Sequence, residues 1–168
     1  LEGLFDHLIA HYVFCPRSLD EAALLARSAL QGLKNPHPER ARALVNISLV
    51  QAGEILLDPF CGTGGMVLEA ELVGAQGAGS DIDPLMVAGS RKNVPGGFFF
   101  RADATALPVR SSGIHAVATD LPYGQSVSIA AGSIDTLYSG TLEEIRRVLM
   151  PGRRAVVVTH RDISRQAG

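Results

Sequence analysis

The sequence predicts one α/β domain in which a mostly parallel β-sheet is flanked by helices. The chain has 168 residues, which is enough for one well-packed domain and too few for two of ordinary size. Hydrophobic residues make up 46% of it and charged residues 19%, a balance typical of compact globular proteins. From residue 54 onward, short apolar runs alternate with segments of helix length, and this alternation is the pattern of βαβ units.

The apolar runs predict five strands, at residues 55–57, 77–80, 97–101, 115–119 and 155–159. Helices are predicted between them, at residues 64–73, 84–93 and 135–149. In a sheet of this kind, ligands bind beyond the carboxyl ends of the strands, near the point where the strand order reverses. The loops that follow the strands are therefore the segments to examine for chemistry.

A helical leader is predicted over residues 1–53, ahead of the core at residues 54–168. Apolar residues recur at helical spacing over residues 1–13. A second helix is predicted at 20–31, with Asp20 as its N-cap, and a third at 39–51, ending before Gly53.

Charge and cysteine content limit the possible functions. The formal net charge of −2 gives no overall positive field, which argues against a self-sufficient RNA-binding protein. From position 141 onward the chain has six arginines and three acidic residues. This local excess of positive charge could form a basic rim or a solvated helix face. Cys15 and Cys61 are predicted to be free thiols of a reducing compartment. Without an apolar run of about 20 residues or a signal peptide, the expected location is the cytoplasm.

A glycine-rich loop follows the first predicted strand, with the sequence Asp-Pro-Phe-Cys-Gly-Thr-Gly-Gly at residues 58–65. Glycines allow the backbone to approach a ligand closely, and the next helix begins with free N–H donors. A dinucleotide fingerprint would have a third glycine where this chain has Val67. Asp58 favours a cationic ligand, such as the amino-acid end of S-adenosylmethionine, although the loop alone could be a simple tight turn.

Acidic residues also follow the second and third strands. Asp81 lies about 20 residues past the glycine loop, where a carboxylate can accept both ribose hydroxyls. Asp83 precedes Pro84 and could equally cap the next helix, so its role stays open. Asp103 could accept from an adenine amino group, with the amide of Ala104 facing a ring nitrogen, and a surface turn is the alternative.

The fourth strand leads into Asp-Leu-Pro-Tyr-Gly at residues 120–124. An aryl amine is a poor nucleophile, and its methylation needs acceptors that bind the amine hydrogens. The Asp120 carboxylate and a carbonyl of the proline-stiffened turn can supply them. Tyr123 could stack on an unstacked base. An ordinary turn is the alternative, and the three preceding acid-terminated strands argue against it. His37, His115 and His160 show no metal-site pattern, so no metal is predicted.

Together these strings resemble the successive motifs of class I methyltransferases, which have a Rossmann-like fold. The resemblance is greatest to the archaeal tRNA (guanine-10, N2) methyltransferases and covers roughly residues 38–159. It implies S-adenosylmethionine as cofactor and a tRNA guanosine as substrate, methylated on its exocyclic amine after being flipped from its helix. The catalytic residues that it implies are Asp120, Pro122 and Tyr123. The full set predicted to bind the cofactor is Asp58, Phe60, Gly62, Thr63, Gly64, Asp81, Ile82, Asp103, Ala104 and Asp120.

The sequence departs from this family in three ways. Leu121 stands where a first proline is usual, which is expected to loosen the catalytic turn. The N-terminal THUMP-type RNA-binding domain of the family is not recognisable, and no closing antiparallel hairpin follows the fifth strand. A fragment of a longer protein, or a chain that depends on a partner subunit, would explain these departures.

Three alternatives remain open on the sequence. One is a methyltransferase for ribosomal guanine or DNA adenine, since the acid-x-Pro-aromatic motif suits any exocyclic amine. Another is a non-catalytic, cofactor-binding subunit, against which the intact Asp120 and Tyr123 argue. The third, a nicotinamide-dependent oxidoreductase, is disfavoured by Val67.

Overall fold

The computed structural model describes residues 9–13, 38–122 and 134–159, and the following elements lie in these ranges. The strands are β1 (Ile9–Val13), β2 (Ile55–Asp58), β3 (Gln76–Asp81), β4 (Phe98–Arg101), β5 (Ile114–Asp120) and β6 (Leu149–Thr159). The helices of these ranges are α1 (Pro38–Ser48), α2 (Gly65–Leu72), α3 (Pro84–Asn93) and α4 (Ile134–Val148).

All six strands form one sheet, in the order β1-β6-β5-β2-β3-β4. The strands from β2 to β6 are parallel to their neighbours, and only β1 is antiparallel, at the edge beside β6. The chain builds outward from β2 through β3 to β4, then returns to the other side of β2 with β5. The strand order therefore reverses between β2 and β5, and their carboxyl ends form the expected ligand-binding position.

Helices cover both faces of the sheet because the strand side chains alternate. Leu56, Ala116 and Val156 face α1, where they pack with the fully buried Leu44 and Val45. Leu57, Val117 and Val157 belong to a second apolar cluster, on which Tyr138, Ile145 and Val148 of α4 pack. Since both faces are buried, the central strands are almost continuously apolar, as the sequence suggested.

Helix α3 begins with a cap that local sequence dictates. Asp83 Oδ1 accepts a hydrogen bond from the Leu85 N–H at 2.8 Å, and Pro84 occupies the first turn, where its missing N–H costs nothing. The capping interpretation of Asp83 is thus confirmed, and its carboxylate turns toward the helix that it starts.

The α/β fold and its five parallel strands are confirmed, with element boundaries shifted by a few residues. The largest shift is at β6, which begins at Leu149 directly after α4 rather than at residue 155. The third leader helix is present as α1, but it ends at Ser48. The helix predicted at residues 20–31 lies outside the described residues.

The helical interpretation of residues 1–13 is wrong for the part that the structure describes. Residues Ile9–Val13 form β1, which pairs in antiparallel register with β6, so that Ile9 lies opposite Thr159 and Val13 opposite Ala155. A strand from any part of the chain can supply hydrogen-bond partners for the backbone groups at the edge of a sheet. Apolar residues at helical spacing over so short a segment are a weaker determinant of structure than this pairing. The antiparallel neighbour of the last parallel strand therefore comes from the N-terminal region. The division of the chain at residue 53 stays a prediction.

No helix in the described ranges has the length and apolar character needed to cross a membrane.

Candidate active site at the carboxyl ends of the strands

Three acidic residues end three adjacent strands at one edge of the sheet. Asp120 ends β5, Asp58 ends β2 and Asp81 ends β3, and β2 lies between the other two strands. Their charges are close enough that Asp120 and Asp81 both act on the pKa of Asp58. The predicted grouping of strand-end acids at the reversal of strand order is what the structure contains.

The glycine loop turns sharply between β2 and α2. Gly62 and Gly64 have φ angles of 50° and 92°, in the left-handed region that favours glycine. Asp81 anchors this loop, because its Oδ2 accepts the Gly62 N–H at 3.1 Å. A Cβ placed on Gly62 would meet no atom within 4 Å, so the loop faces open space where a ligand can approach its backbone.

Close packing under the loop depends on Gly79 in β3, which sequence reasoning did not single out. A Cβ there would lie 2.7 Å from the Cβ of Cys61 and 2.9 Å from the Phe99 ring. The loop is also joined to β3 by the Cys61 N–H, which donates to the Ser80 carbonyl at 2.9 Å. Burial raises the pKa of the free Cys61 thiol to about 12, so this thiol packs and does not act as a nucleophile. Cys15 lies outside the described residues.

Asp58 is 3% exposed, and its position is fixed by two hydrogen bonds. Its Oδ1 accepts the Thr119 hydroxyl at 2.7 Å and the Phe60 N–H at 3.1 Å. Desolvation raises the pKa of Asp58 to about 7, the charges of Asp120 and Asp81 act in the same direction, and the two hydrogen bonds oppose them. A cationic ligand at this carboxylate would favour its ionised form.

Asp81 organises the start of the second loop as well as the first. Its Oδ1 accepts the Asp83 N–H at 2.9 Å, in addition to the Gly62 bond at Oδ2. An ionised carboxylate has about four lone-pair sites, so each oxygen keeps acceptor capacity for a ligand hydroxyl. Ile82 follows with its side chain 60% exposed and offers an apolar surface next to that carboxylate.

Asp103 lies in an exposed turn after β4. Its Oδ1 accepts both the N–H and the hydroxyl of Thr105, at 2.8 and 2.7 Å, while Ala104 is buried. Arg147 of α4 holds the rest of this loop by donating to the carbonyls of Leu107 and Val109. The alternative that Asp103 belongs to a surface turn is therefore correct for its Oδ1, which accepts both hydrogen bonds of that turn.

Asp120 meets a cation that sequence reasoning missed. Arg40 of α1 is 5% exposed, and its Nη2 lies 3.3 Å from Asp120 Oδ2. The Asp120 side chain is 26% exposed, so it remains accessible from the edge of the sheet. Since α1 and β5 are separated by some 80 positions in the chain, no local pattern in the sequence indicates this pair.

The turn after Asp120 is fastened at two points. The Leu121 side chain is fully buried, and its N–H donates to the Val158 carbonyl of β6 at 2.9 Å. The Pro122 carbonyl accepts the hydroxyl of the buried Tyr138 at 2.8 Å. Leucine in place of proline therefore adds an anchor here and does not loosen the described part of the turn. Tyr123 lies outside the described residues.

The remaining predicted residues frame the loop. The Phe60 side chain is half-buried and packs against the apolar cluster under α4. Thr63 is exposed, and its carbonyl accepts from Asn93 of α3 at 3.0 Å.

His115 Nδ1 accepts the Ile55 N–H at 3.1 Å, which is a structural role. No group of side chains that could hold a metal occurs among the residues described. His37 and His160 fall outside them.

Comparison with known proteins identifies the family. The sequence-family model of the RMKL-like methyltransferase domain matches residues 37–167 of this chain. The chain belongs to this methyltransferase family. The solved structure of TrmN from Thermus thermophilus superposes with a TM-score of 0.63 at 24% identity, covering 79% of this chain and 40% of TrmN, and supports the same fold.

Two relatives of this methyltransferase domain have named activities. A tRNA (guanine(10)-N2)-dimethyltransferase of Methanothermobacter thermautotrophicus is 41% identical over 120 residues, which are 68% of this chain and 35% of the relative. The U6 snRNA (guanine-N(2))-methyltransferase THUMPD2 of Bos taurus is 27% identical over 133 residues, which are 73% of this chain and 25% of the relative. The chain spans about a third of the length of this archaeal relative and of two others, from Methanocaldococcus jannaschii and Pyrococcus abyssi.

Proposed function

We propose that this chain is the catalytic domain of an S-adenosylmethionine-dependent enzyme that methylates the exocyclic N2 amine of guanosine in RNA, with position 10 of tRNA as the first site to test. The observation that carries the proposal is the place of Asp120, at a strand end beside the glycine loop where strand order reverses. The relatives named for guanine-N2 methylation of tRNA and of U6 snRNA support the choice of base and atom.

The residues at the strand ends fit S-adenosylmethionine. The buried Asp58 suits a cationic amino-acid group, because a positive charge favours the ionised form that burial opposes. Asp81 retains acceptor capacity for ribose hydroxyls, and the exposed Ile82 offers an apolar contact for a purine. We assign Asp103 and Ala104 to the adenine edge. When bound, this cofactor supplies an activated methyl group as the electrophile.

Asp120 binds and orients the amine in this proposal. Its carboxylate accepts a hydrogen bond from the N2 amine, which directs the nitrogen lone pair away from the ring plane, and it is placed to receive the proton that the amine loses. The Pro122 carbonyl, fixed by Tyr138, has a second lone pair for the other amine hydrogen. Alignment of the amine supplies most of the rate, so no metal or covalent nucleophile is needed.

The base pocket requires an unstacked guanine. A guanine paired in a helix must be flipped out at a cost of about a few kcal/mol. We assign stacking on the base to Tyr123. The net charge of −2 gives this chain little general attraction for RNA, so we propose that RNA affinity comes from a further domain or a partner subunit. We place the enzyme in the cytoplasm, where tRNA is modified.

Methyl transfer to several nucleic acids tests the substrate. Radiolabelled methyl groups from S-adenosylmethionine are offered with tRNA, ribosomal RNA, a small nuclear RNA and DNA in parallel, and the labelled nucleosides are identified. The expected product is N2-methylated guanosine in tRNA. Label in adenine would overturn the choice of base, and label confined to ribosomal RNA would overturn the choice of tRNA.

Substitution of Asp120 tests the mechanism. Asp120→Ala should lower turnover by a factor of about 100 or more while cofactor binding, measured by calorimetry, survives. Asp81→Ala should weaken cofactor binding instead. Glu143→Ala, an exposed acid on α4, serves as the control and should keep wild-type turnover. Near-normal turnover of Asp120→Ala would contradict the proposed amine chemistry.

A further inference from the structure

We propose that Arg40 is a positioning residue of the active site, which holds the Asp120 carboxylate in place and keeps it ionised at the pH of catalysis. This inference rests on the proposed function for its link to turnover. It extends the active site to α1, a helix that precedes the first parallel strand. Arg40 does not contact the substrate in this proposal, because it acts through Asp120.

Arg40 is the buried member of this ion pair, and Asp120 is the partly exposed member. Arg40 Nη2 lies 3.3 Å from Asp120 Oδ2, and the arginine side chain is 7% exposed against 26% for the aspartate. Arg40 Nε and Nη2 have no hydrogen-bond partner in the part of the chain that the structure describes. A buried guanidinium with so few other contacts is costly, and the carboxylate of Asp120 is what compensates its charge.

Helix α1 places this guanidinium firmly. Leu44 and Val45 are fully buried against the sheet, one turn further along the helix. Arg42, on the same helix, forms a separate ion pair with Glu69 of α2. Arg40 therefore approaches Asp120 from a packed helix, and the carboxylate is held from that side at Oδ2.

The surroundings explain why a cation is needed. Asp58 ends the adjacent strand β2, and the charge of Asp120 acts on it in the direction that raises the pKa of Asp58. Because Asp120 is also proposed to receive the proton that the amine loses, its carboxyl must be ionised before methyl transfer. Among the described residues, Asp58 at the end of β2 and Arg40 from α1 are the charged groups that interact with Asp120, while the Tyr138 hydroxyl of α4 donates to the Pro122 carbonyl. A cation next to a carboxylate favours its ionised form.

Variants of Arg40 and Arg42, two arginines of α1, distinguish a role of Arg40 in positioning Asp120 from a role in stabilising the fold alone. Arg40→Leu should lower kcat for methyl transfer by about 100-fold, with KM for RNA and cofactor nearly unchanged. The acidic limb of its pH–rate profile should move to higher pH. Arg40→Lys should restore the position of that limb and part of kcat, because it returns the charge without the planar guanidinium. Arg42→Leu also breaks an ion pair on α1 and should keep the wild-type kcat and pH profile.

A second measurement does not depend on activity. The full-length protein is labelled with ¹³C at aspartate carboxyl carbons, and the Asp120 signal, assigned by its absence in Asp120→Asn, is titrated without RNA. In Arg40→Leu its midpoint should rise, and in Arg42→Leu it should not. An unchanged midpoint, or equal losses of kcat in both leucine variants, overturns the inference. If the midpoint rises while the wild-type protein methylates no guanine, only the proposed function fails.

Discussion

The Asp58 carboxyl is buried at the end of β2, between two other acidic residues. Thr119 and Phe60 donate to it, yet these bonds offset only part of its desolvation, and its pKa rises from 3.8 to about 7. Since the folded protein then holds this proton more tightly than the unfolded chain, folding stability falls as pH rises from about 4 to about 7. Under the proposed function, the positive group of the bound cofactor would offset this loss of stability.

Asp58→Asn should remove this pH dependence. The amide keeps an acceptor oxygen for Thr119 and Phe60 and cannot ionise, so the variant should be more stable than wild type above pH 7, by up to about 4 kcal/mol. Urea unfolding at pH 5 and pH 8 measures the difference. Asp83→Asn, which keeps the α3 cap, should retain the wild-type slope. A slope that persists in Asp58→Asn would assign the dependence to another group.

The acidic residues of the site were predictable, and their partners were not. Asp58, Asp81 and Asp120 each follow an apolar run, so the local sequence places them at strand ends, and parallel strands bring those ends together. Thr119 donates to Asp58 from 61 positions away in the chain. Arg40 approaches Asp120 from helix α1. A polar Thr at the end of an apolar strand was the only local signal, and Arg40 gave none.

At the level of elements, the end of β5 determines how firmly the catalytic turn is held. Leu121 continues the ladder with β6 through its N–H and fills the cluster under α4 with its side chain. Tyr138 then reaches from α4 to the next carbonyl, at Pro122. The neighbouring strand β6 and helix α4 therefore fix two consecutive residues, Leu121 and Pro122, where the chain leaves the sheet.

Two substitutions at Leu121 separate packing from hydrogen bonding. Leu121→Ala should cost about 2–5 kcal/mol of unfolding free energy, because it leaves a cavity in the core. Leu121→Pro should cost more than the alanine variant by about 1 kcal/mol, because proline cannot donate to Val158. Chemical unfolding of both variants measures the difference. If the proline variant were the more stable of the two, the bond to β6 would contribute nothing.

Element types in the core followed from the sequence, and so did the element ends, apart from the start of β6. Helix α4 and the strands β2 to β5 lie within two residues of their predicted bounds, because apolar periodicity and the cap at Asp83 are local signals. At β6 the strand begins six residues early, since Leu149 already pairs with Ile114 of β5, ahead of a register irregularity that is followed by Arg154 opposite Ala116. Such pairing depends on a distant strand and leaves no trace in local periodicity.

In the whole molecule, the parallel sheet is completed by a strand from far away in the sequence. β1 covers the outer edge of β6 over five residues, in antiparallel register. An uncovered edge of this kind would expose a row of unpaired backbone groups and invite pairing with other chains. The segment was interpreted as a helix because its apolar spacing was read locally, whereas its partner lies about 145 positions later.

Proline substitutions along β1 test this edge pairing. Successive N–H groups of an edge strand point alternately to the neighbouring strand and to solvent, so one of His11→Pro and Tyr12→Pro removes a ladder bond and the other does not. We expect the two variants to differ in stability by about 1 kcal/mol or more. Thermal unfolding, with hydrogen exchange of the β6 amides, reads out the change. Equal, small effects from both would contradict the pairing.

The register of β1 has a consequence for how substrate can be delivered. Ile9 and Thr159 are directly opposite each other, and Thr159 lies at the carboxyl end of β6, beside the strand that ends in Asp120. The chain thus enters β1 and leaves β6 at the rim where the acidic side chains meet. Under the proposed function, an RNA-binding module tethered at either point would be attached on the side of the sheet where Asp120 lies.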